Sequence, residues 1–269
     1  MVTLKLKRQP QVPLEAEVLS PDVLSELSNE QIRAQIVYHG KRQCALGDFF
    51  EVEGERSEHL EIHGDLHRVR WLGRGMSRGR LIVHGSVGMH LGAYMAGGEI
   101  EVHGDASDWI GAEMKNGLIR VHGNAGGQVG AAYRGSLSGM RNGTILIGGT
   151  AGLEVGMRMR RGTIVIAGAA KDFTGLQMKG GTIVLLSGAE LRTGAWMVRG
   201  TILTLKSVEL MPTFSYDCRF NPGFVGLVAS YLKPLGIDLP HAADQGAYDL
   251  YSGDSSVPGK GEILIWQTA

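Results

Sequence analysis

Cysteine is scarce here, with two residues, Cys44 and Cys218, far apart in 269. That number excludes a disulfide framework, and the spacing offers no paired metal ligands. It fits a reducing cytoplasm, which is the expected location. Charge of either sign in excess is also missing, since 27 basic residues meet 27 acidic ones. A neutral chain has no general pull toward nucleic acid or a membrane surface. No apolar run reaches the ~18 residues that a membrane-spanning helix needs. The opening MVTLKLKRQPQ has no apolar core of signal length, so no leader is expected. Catalytic signatures are missing as well: there is no nucleophile elbow, no HExxH and no C-x-x-C.

What the chain has in plenty is glycine, 41 residues, about twice the usual share. The glycines fall on a lattice. Gly79, Gly98, Gly117, Gly143, Gly162, Gly181 and Gly200 recur every 19 residues, with a single step of 26 before Gly143. A methionine stands three residues before each, from Met76 to Met197, and six of the seven have a further glycine six residues before. In the seventh, Leu137 holds that place, because seven residues are inserted between Gly130 and Met140. A fixed period of this size means one supersecondary unit stacked on copies of itself.

After each register glycine comes a strand pattern, as in Glu99-Ile100-Glu101-Val102-His103. Side chains alternate across a strand. The column Leu81, Ile100, Ile119, Ile145, Ile164, Ile183, Ile202 therefore faces inward, with Val83 to Leu185 beside it. Leu72, Leu91, Ile110, Val129, Val155, Thr174 and Thr193 make a second inward column, and the methionines a third. Nineteen residues hold three short strands and three bends more readily than two helices. The expected fold is all-β, a right-handed parallel β-helix of about seven 19-residue coils, roughly 34 Å long at the spacing of paired strands. Its open ends need covers. Residues 1–57 are read as an N-terminal cap, 58–206 as the coil and 207–269 as a C-terminal cap. The caps carry strand patterns at Val2–Lys7, Phe49–Glu53 and Ile263–Trp266. Helices are predicted from Ser20-Pro21-Asp22 and over Phe224–Lys233.

Several features invite a functional reading. His63, His84, His103 and His122 share one rung position. Parallel rungs hold such side chains abreast rather than converging on a tetrahedral point, and no Asp, Glu or Cys column of similar regularity accompanies them, so a surface ladder is expected and no metal ligands are assigned. Thr144, Thr163, Thr182 and Thr201 form an outward column, the pattern of some ice-binding solenoids. They alternate with apolar Leu146, Val165, Val184 and Leu203, which suggests a covered strip; a partner and the chain's own C-terminal segment both suit it. The column Trp71, His90, Trp109 reads either as a partner anchor or as rings lying flat on a corner. Gly123 to Gly130 resembles a phosphate cradle in composition but lacks the helix such a site requires. Polysaccharide hydrolases on β-helices need paired carboxylates in a groove. Here Glu99, Glu101, Asp105, Asp108 and Glu113 are matched by Arg68, Arg70, Arg74, Arg78 and Arg80, a mixed solvated face. No catalytic residue is assigned. The seven-residue insertion, Ala131 to Leu137, is expected to project from the cylinder as a contact loop.

The repeat Gly111-Ala112-Glu113-Met114-Lys115-Asn116-Gly117-Leu118-Ile119-Arg120-Val121-His122-Gly123 resembles the GXGXG domain. That domain forms the C-terminal part of the glutamate synthase large subunit and the C-type subunit of formylmethanofuran dehydrogenases. Three flanking segments are similar to that C-type subunit: Leu46 to Val52, Pro212 to Cys218 and Gly259 to Leu264. The resemblance implies a non-catalytic structural subunit in tetrahydromethanopterin/methanofuran-dependent one-carbon metabolism. Two settings stay open, an archaeal dehydrogenase and a bacterial formyltransferase/hydrolase complex that releases formate. It implies as partners a metal-dependent hydrolase subunit, a formyltransferase subunit and one further subunit. It implies a methanofuran-type carrier in the complex, with no cofactor bound for chemistry by this chain. The alternatives are a stand-alone carbohydrate-active β-helix or an ice-binding solenoid from the residues, and a glutamate-synthase-like scaffold domain from the resemblance.

The neutral total hides a local excess. From Arg134 to Lys206 there are ten basic residues against Glu154, Asp172 and Glu190, a net of +7. The resemblance implies a carrier with a glutamate-rich tail. Arg158, Arg160, Arg161 and Lys179 are therefore the candidate contacts to that tail, with a solvated surface or an acidic subunit as the other readings.

Overall fold

The computed structural model describes residues 1–267, the side chain of residue 241 apart. The fold is all-β, with a 13-stranded sheet along one side of a solenoid. Ten of these strands run parallel. Eight come from the coil, from His59–His63 and Arg80–His84 through Glu99–Val102, Leu118–Val121, Thr144–Ile147, Thr163–Ile166 and Lys179–Leu185 to Arg199–Thr204. Each terminus adds one more, Val2–Leu6 at one end and Gly261–Gln267 at the other. Antiparallel strands then close the sheet: Phe50–Gly54 beyond Val2–Leu6, and Ala247–Gly253 with Ser215–Phe220 beyond Gly261–Gln267.

Register follows the sequence period. Ile100 lies opposite Ile119, Ile119 opposite Ile145, and Ile145 opposite Ile164. The 26-residue step thus leaves the pairing intact, because its extra residues leave the coil elsewhere. The seven methionines of the repeat, three residues before each register glycine from Met76 to Met197, are fully buried, as are the two aliphatic columns. The spacing of Met and Gly has a direct cause. The Met114 methyl lies 2.9 Å from where a Cβ on Gly143, one rung along, would stand, and Gly143 has φ +94°. At Gly111, φ +59°, a Cβ would meet Ile145 Cδ1 at 2.5 Å. At Gly143 backbone angle and space both exclude a side chain; at Gly111, whose neighbours Trp109 and Glu113 carry side chains at a similar φ, space does so.

The three sides of each coil are unequal, which departs from the expected three short strands. One side is the parallel sheet. A second is a line of single bridges joining Leu66, Val87, Ala106, Ala125, Ala151, Ala170 and Ala189. The third is a turn held by left-handed residues that are not glycine, including Trp71, His90, Trp109, Tyr94, Glu113, Arg158, Gln177 and Trp196, with φ between +53° and +68°. Such a conformation costs an L-residue roughly 1–2 kcal/mol, and stacking of successive rungs holds it in place.

The apolar strip of Leu146, Val165, Val184 and Leu203 is covered by the chain itself. It packs with Val225 and Leu232 of the Phe224–Leu232 helix and with Tyr248 and Leu264. The Tyr231 hydroxyl reaches Thr144 Oγ1 at 2.6 Å, so the first threonine of that column is roofed too. At the other end, Pro21–Leu24 follows Ser20, and Asn29–Arg33 opens with a capping box between Ser28 and Gln31.

Candidate functional site

The insertion does not project freely. Ala131 and Ala132 are fully buried, and Tyr133 folds back over the aromatic corner. Its ring stacks on Trp109 at 4.8 Å, and its hydroxyl shares a 2.8 Å hydrogen bond with His90 Nδ1. His90 in turn stacks on Trp71 at 4.0 Å. Burial, then the charge of Arg70, brings the His90 imidazolium down to about 4, with Asp108 opposing. The ring is therefore neutral at neutral pH and free to act as an uncharged hydrogen-bonding partner. The column Trp71, His90, Trp109 is covered by Tyr133 of the loop instead of standing free as an anchor.

The tip of the loop is tied down by two of the candidate cations. Arg158 Nη1 donates to the Ser136 carbonyl at 2.6 Å and its Nε to Gln177 Oε1 at 2.7 Å. Lys179 Nζ donates to the Leu137 carbonyl at 2.8 Å. Burial, then the charges of Arg160 and Arg158, pushes the Lys179 ammonium below its ordinary range. Arg160 and Lys179 occupy the same corner on consecutive rungs, their amides donating to Met140 and Met159.

The structure thus divides the four residues into two pairs. Arg160 and Arg161, both exposed, line a pocket of about 530 Å³ with Arg141, Leu137 and Ser138. Arg158 and Lys179 line a neighbouring groove of about 510 Å³ with Gln177, Trp196, Val198 and Val257, and Leu137 is the rim shared by both. Arg141 is an addition to the predicted contacts. It lies one 19-residue step before Arg160, and that period is the signal by which sequence could find it. Three guanidinium groups around one concavity with no carboxylate in the lining suit an anion, and planar forks suit carboxylates in particular.

The histidine ladder is present, with a correction. Rings of His63, His84, His103 and His122 stack at 4.4, 4.9 and 5.0 Å with interplanar angles of 11°, 5° and 4°. Carboxylates do accompany it: Glu61 faces His63 and His84, and Glu101 reaches His122. They stand on alternate rungs, which is why no regular acidic column was legible. Among the described residues no helix is long and apolar enough to cross a membrane, and both cysteines are free thiols.

A sequence profile of the GXGXG motif family matches residues 68–215, more than half of the chain. The chain belongs to the GXGXG motif family. Within it, 97 residues are 40% identical to the C-type subunit of tungsten-containing formylmethanofuran dehydrogenase 2 from Methanothermobacter wolfeii, a match over 34% of this chain and 36% of that one. The C-type subunit of molybdenum-containing formylmethanofuran dehydrogenase 1 from Methanothermobacter marburgensis is 45% identical over 84 residues, 30% of this chain and 21% of that one. The GXGXG chain therefore spans about a third or less of these relatives. Among solved structures, a chain of the formyltransferase/hydrolase complex (FhcABCD) from Methylorubrum extorquens, crystallised with methylofuran, superposes with a TM-score of 0.91. That match is 33% identical and covers 99% of this chain and 100% of the other.

Proposed function

We propose that this GXGXG chain is the non-catalytic structural subunit of a formyltransferase/hydrolase complex. Its role is to hold the other subunits in place while formyl groups pass through a methanofuran-type carrier to formate. The observation that carries this reading is likeness over the full length, at 33% identity, to a chain of FhcABCD. The partial likeness to the C-type subunits of the archaeal dehydrogenases supports the same kind of role. In this reading 1–57 and 207–269 cap the coil 58–206, and the partners are a metal-dependent hydrolase subunit, a formyltransferase subunit and a further subunit.

The basic corner is the part of the chain that meets the carrier. Arg141, Arg160 and Arg161 face outward around one pocket, and a glutamate-rich tail would meet them through several weak, salt-screened contacts. Arg158 and Lys179 serve this contact indirectly, by holding the loop that forms the pocket wall. Reversing the three pocket arginines to Glu in the assembled complex should leave assembly intact and reduce carrier retention at low salt. Exposed ion pairs contribute about 0.2–1 kcal/mol each, so the loss should be on the order of tenfold. Retention unchanged at low salt would remove the carrier from this corner. Loss of assembly would make the corner a subunit interface instead.

A further inference from the structure

The histidine face lies outside everything assigned so far. Four strands carry it: His59–His63, Arg80–His84, Glu99–Val102 with His103 following, and Leu118–Val121 with His122 following. A carboxylate two residues before a histidine shares its face of the strand. Glu61 and Glu101 have that relation to His63 and His103. The matching places on the other two strands are Ile82 and Arg120, so two acids serve four imidazoles.

We propose that this face holds two divalent transition-metal ions of the zinc class. One lies among Glu61, His63 and His84, the other among Glu101, His103 and His122. In each group the ligand atoms lie within 4.8 Å of one another. Glu61 sets one oxygen 3.6 Å from His63 Nε2 and the other 3.6 Å from His84 Nε2. Those separations exceed hydrogen-bond length. They are close to the roughly 3.3 Å between donors on a tetrahedral ion with bonds of about 2.0–2.1 Å. The imidazoles of each group stand abreast, with ring centroids 4.4 and 5.0 Å apart, so the carboxylate facing them is what would complete one ion's ligand set. In the second group Glu101 Oε1 is 2.9 Å from His122 Nε2, while its other oxygen accepts from Arg80 at 2.7 Å. Arg80 holds that carboxylate in place while its charge competes with a cation there.

Imidazole with carboxylate is the donor set of zinc and its neighbours, not of magnesium or calcium. Two imidazoles and one carboxylate leave a coordination position for water or for a donor from elsewhere. The side chains of His63, His84 and His122 are 38–45% exposed and those of the two acids 16–22%, so ions have access while the carboxylates are anchored. The cations on neighbouring strands set the order of affinity. Arg80 bears directly on the Glu101 group and weakens it. Lys5, abreast of His63 in the sheet, is paired with Glu53 at 3.0 Å. The Glu61 group should be the tighter one.

The test is a cobalt(II) and zinc(II) titration of the full chain, prepared without a histidine tag, with bound zinc counted by elemental analysis after dialysis. The expected stoichiometry is two ions per chain. His84→Asn should remove one, His122→Asn the other, and the double variant both, with thermal melts unchanged because these side chains are exposed. Competition with protons should weaken binding as pH falls, since ligating imidazole must be neutral. Glu61→Gln, which keeps the shape and removes the charge, should weaken the tighter site alone. Binding by the parent no stronger than by the double variant would overturn the proposal. So would two ions retained in both single histidine variants.

Discussion

An Ile164→Asp chain is expected to lose the solenoid altogether. Ile164 is fully buried between Ile145 and Ile183 in register, and its Cδ1 lies 2.6 Å from where a Cβ on Gly130 would stand. An aspartate there has no cation and no donor around it, only the aliphatic columns. Leaving a carboxylate buried and unpaired costs roughly 3–5 kcal/mol, out of a whole-domain stability of about 5–15 kcal/mol. The position makes matters worse. In a stacked repeat each coil is stabilised by its neighbours, and Ile164 is in the middle, so its failure strands both halves. Circular dichroism and thermal melting check this: Ile164→Val should cost only about 0.5–1.5 kcal/mol, whereas Ile164→Asp should show no cooperative melt. An aspartate variant melting within a few degrees of the parent would mean that the column does not face the interior.

The second large effect concerns the C-terminal cover. A chain ending at Lys206 loses the Phe224–Leu232 helix and the Gly261–Gln267 strand. Two hazards then appear together. Leu146, Val165, Val184 and Leu203, all at 0–1% exposure in the full chain, become an apolar strip on the outside. The Arg199–Thr204 strand becomes an open edge able to pair with another chain. Each such side chain contributes about 1.5–3 kcal/mol when buried, so uncovering four removes an amount comparable with total stability. The expected result is an aggregating chain, seen as a void-volume peak in size-exclusion chromatography and as strong light scattering. A monomeric, folded fragment would show that the cover is dispensable.

The period made the interior legible, since strand alternation together with the Met and Gly positions sorts nearly every residue between Leu72 and Ile202 into inside or outside. Of the terminal strands that complete the sheet, Val2–Leu6, Phe50–Gly54 and Gly261–Gln267 were legible from their strand patterns, whereas Ser215–Phe220 and Ala247–Gly253 were not. What escaped lies where the period breaks or where one side chain reaches across rungs. Tyr133 sits in the inserted segment, so no lattice position predicted that it would fold back onto Trp109 and His90. Arg158 and Lys179 looked like free cations because their acceptors are main-chain carbonyls of that same loop, which charge counting does not see. The left-handed residues of the third side escaped because Trp, His and Arg are poor local signals for positive φ. Stacking on the next rung imposes it. The choice between a partner and the chain's own helix over Val165 and Val184 required tertiary structure, because the strip looks the same in sequence under either cover.

In the proposed function this chain is a structural subunit whose chemistry is done by its partners. The most direct measurement is purification of the chain from its native cells under mild salt, followed by mass determination and identification of every bound protein. The expected result is a defined multi-subunit assembly, with formyltransferase and metal-dependent hydrolase subunits in fixed ratio to this chain, and with formyl-transfer activity that the isolated chain lacks. Recovery of the chain as a lone monomer, or activity residing in that monomer, would contradict it.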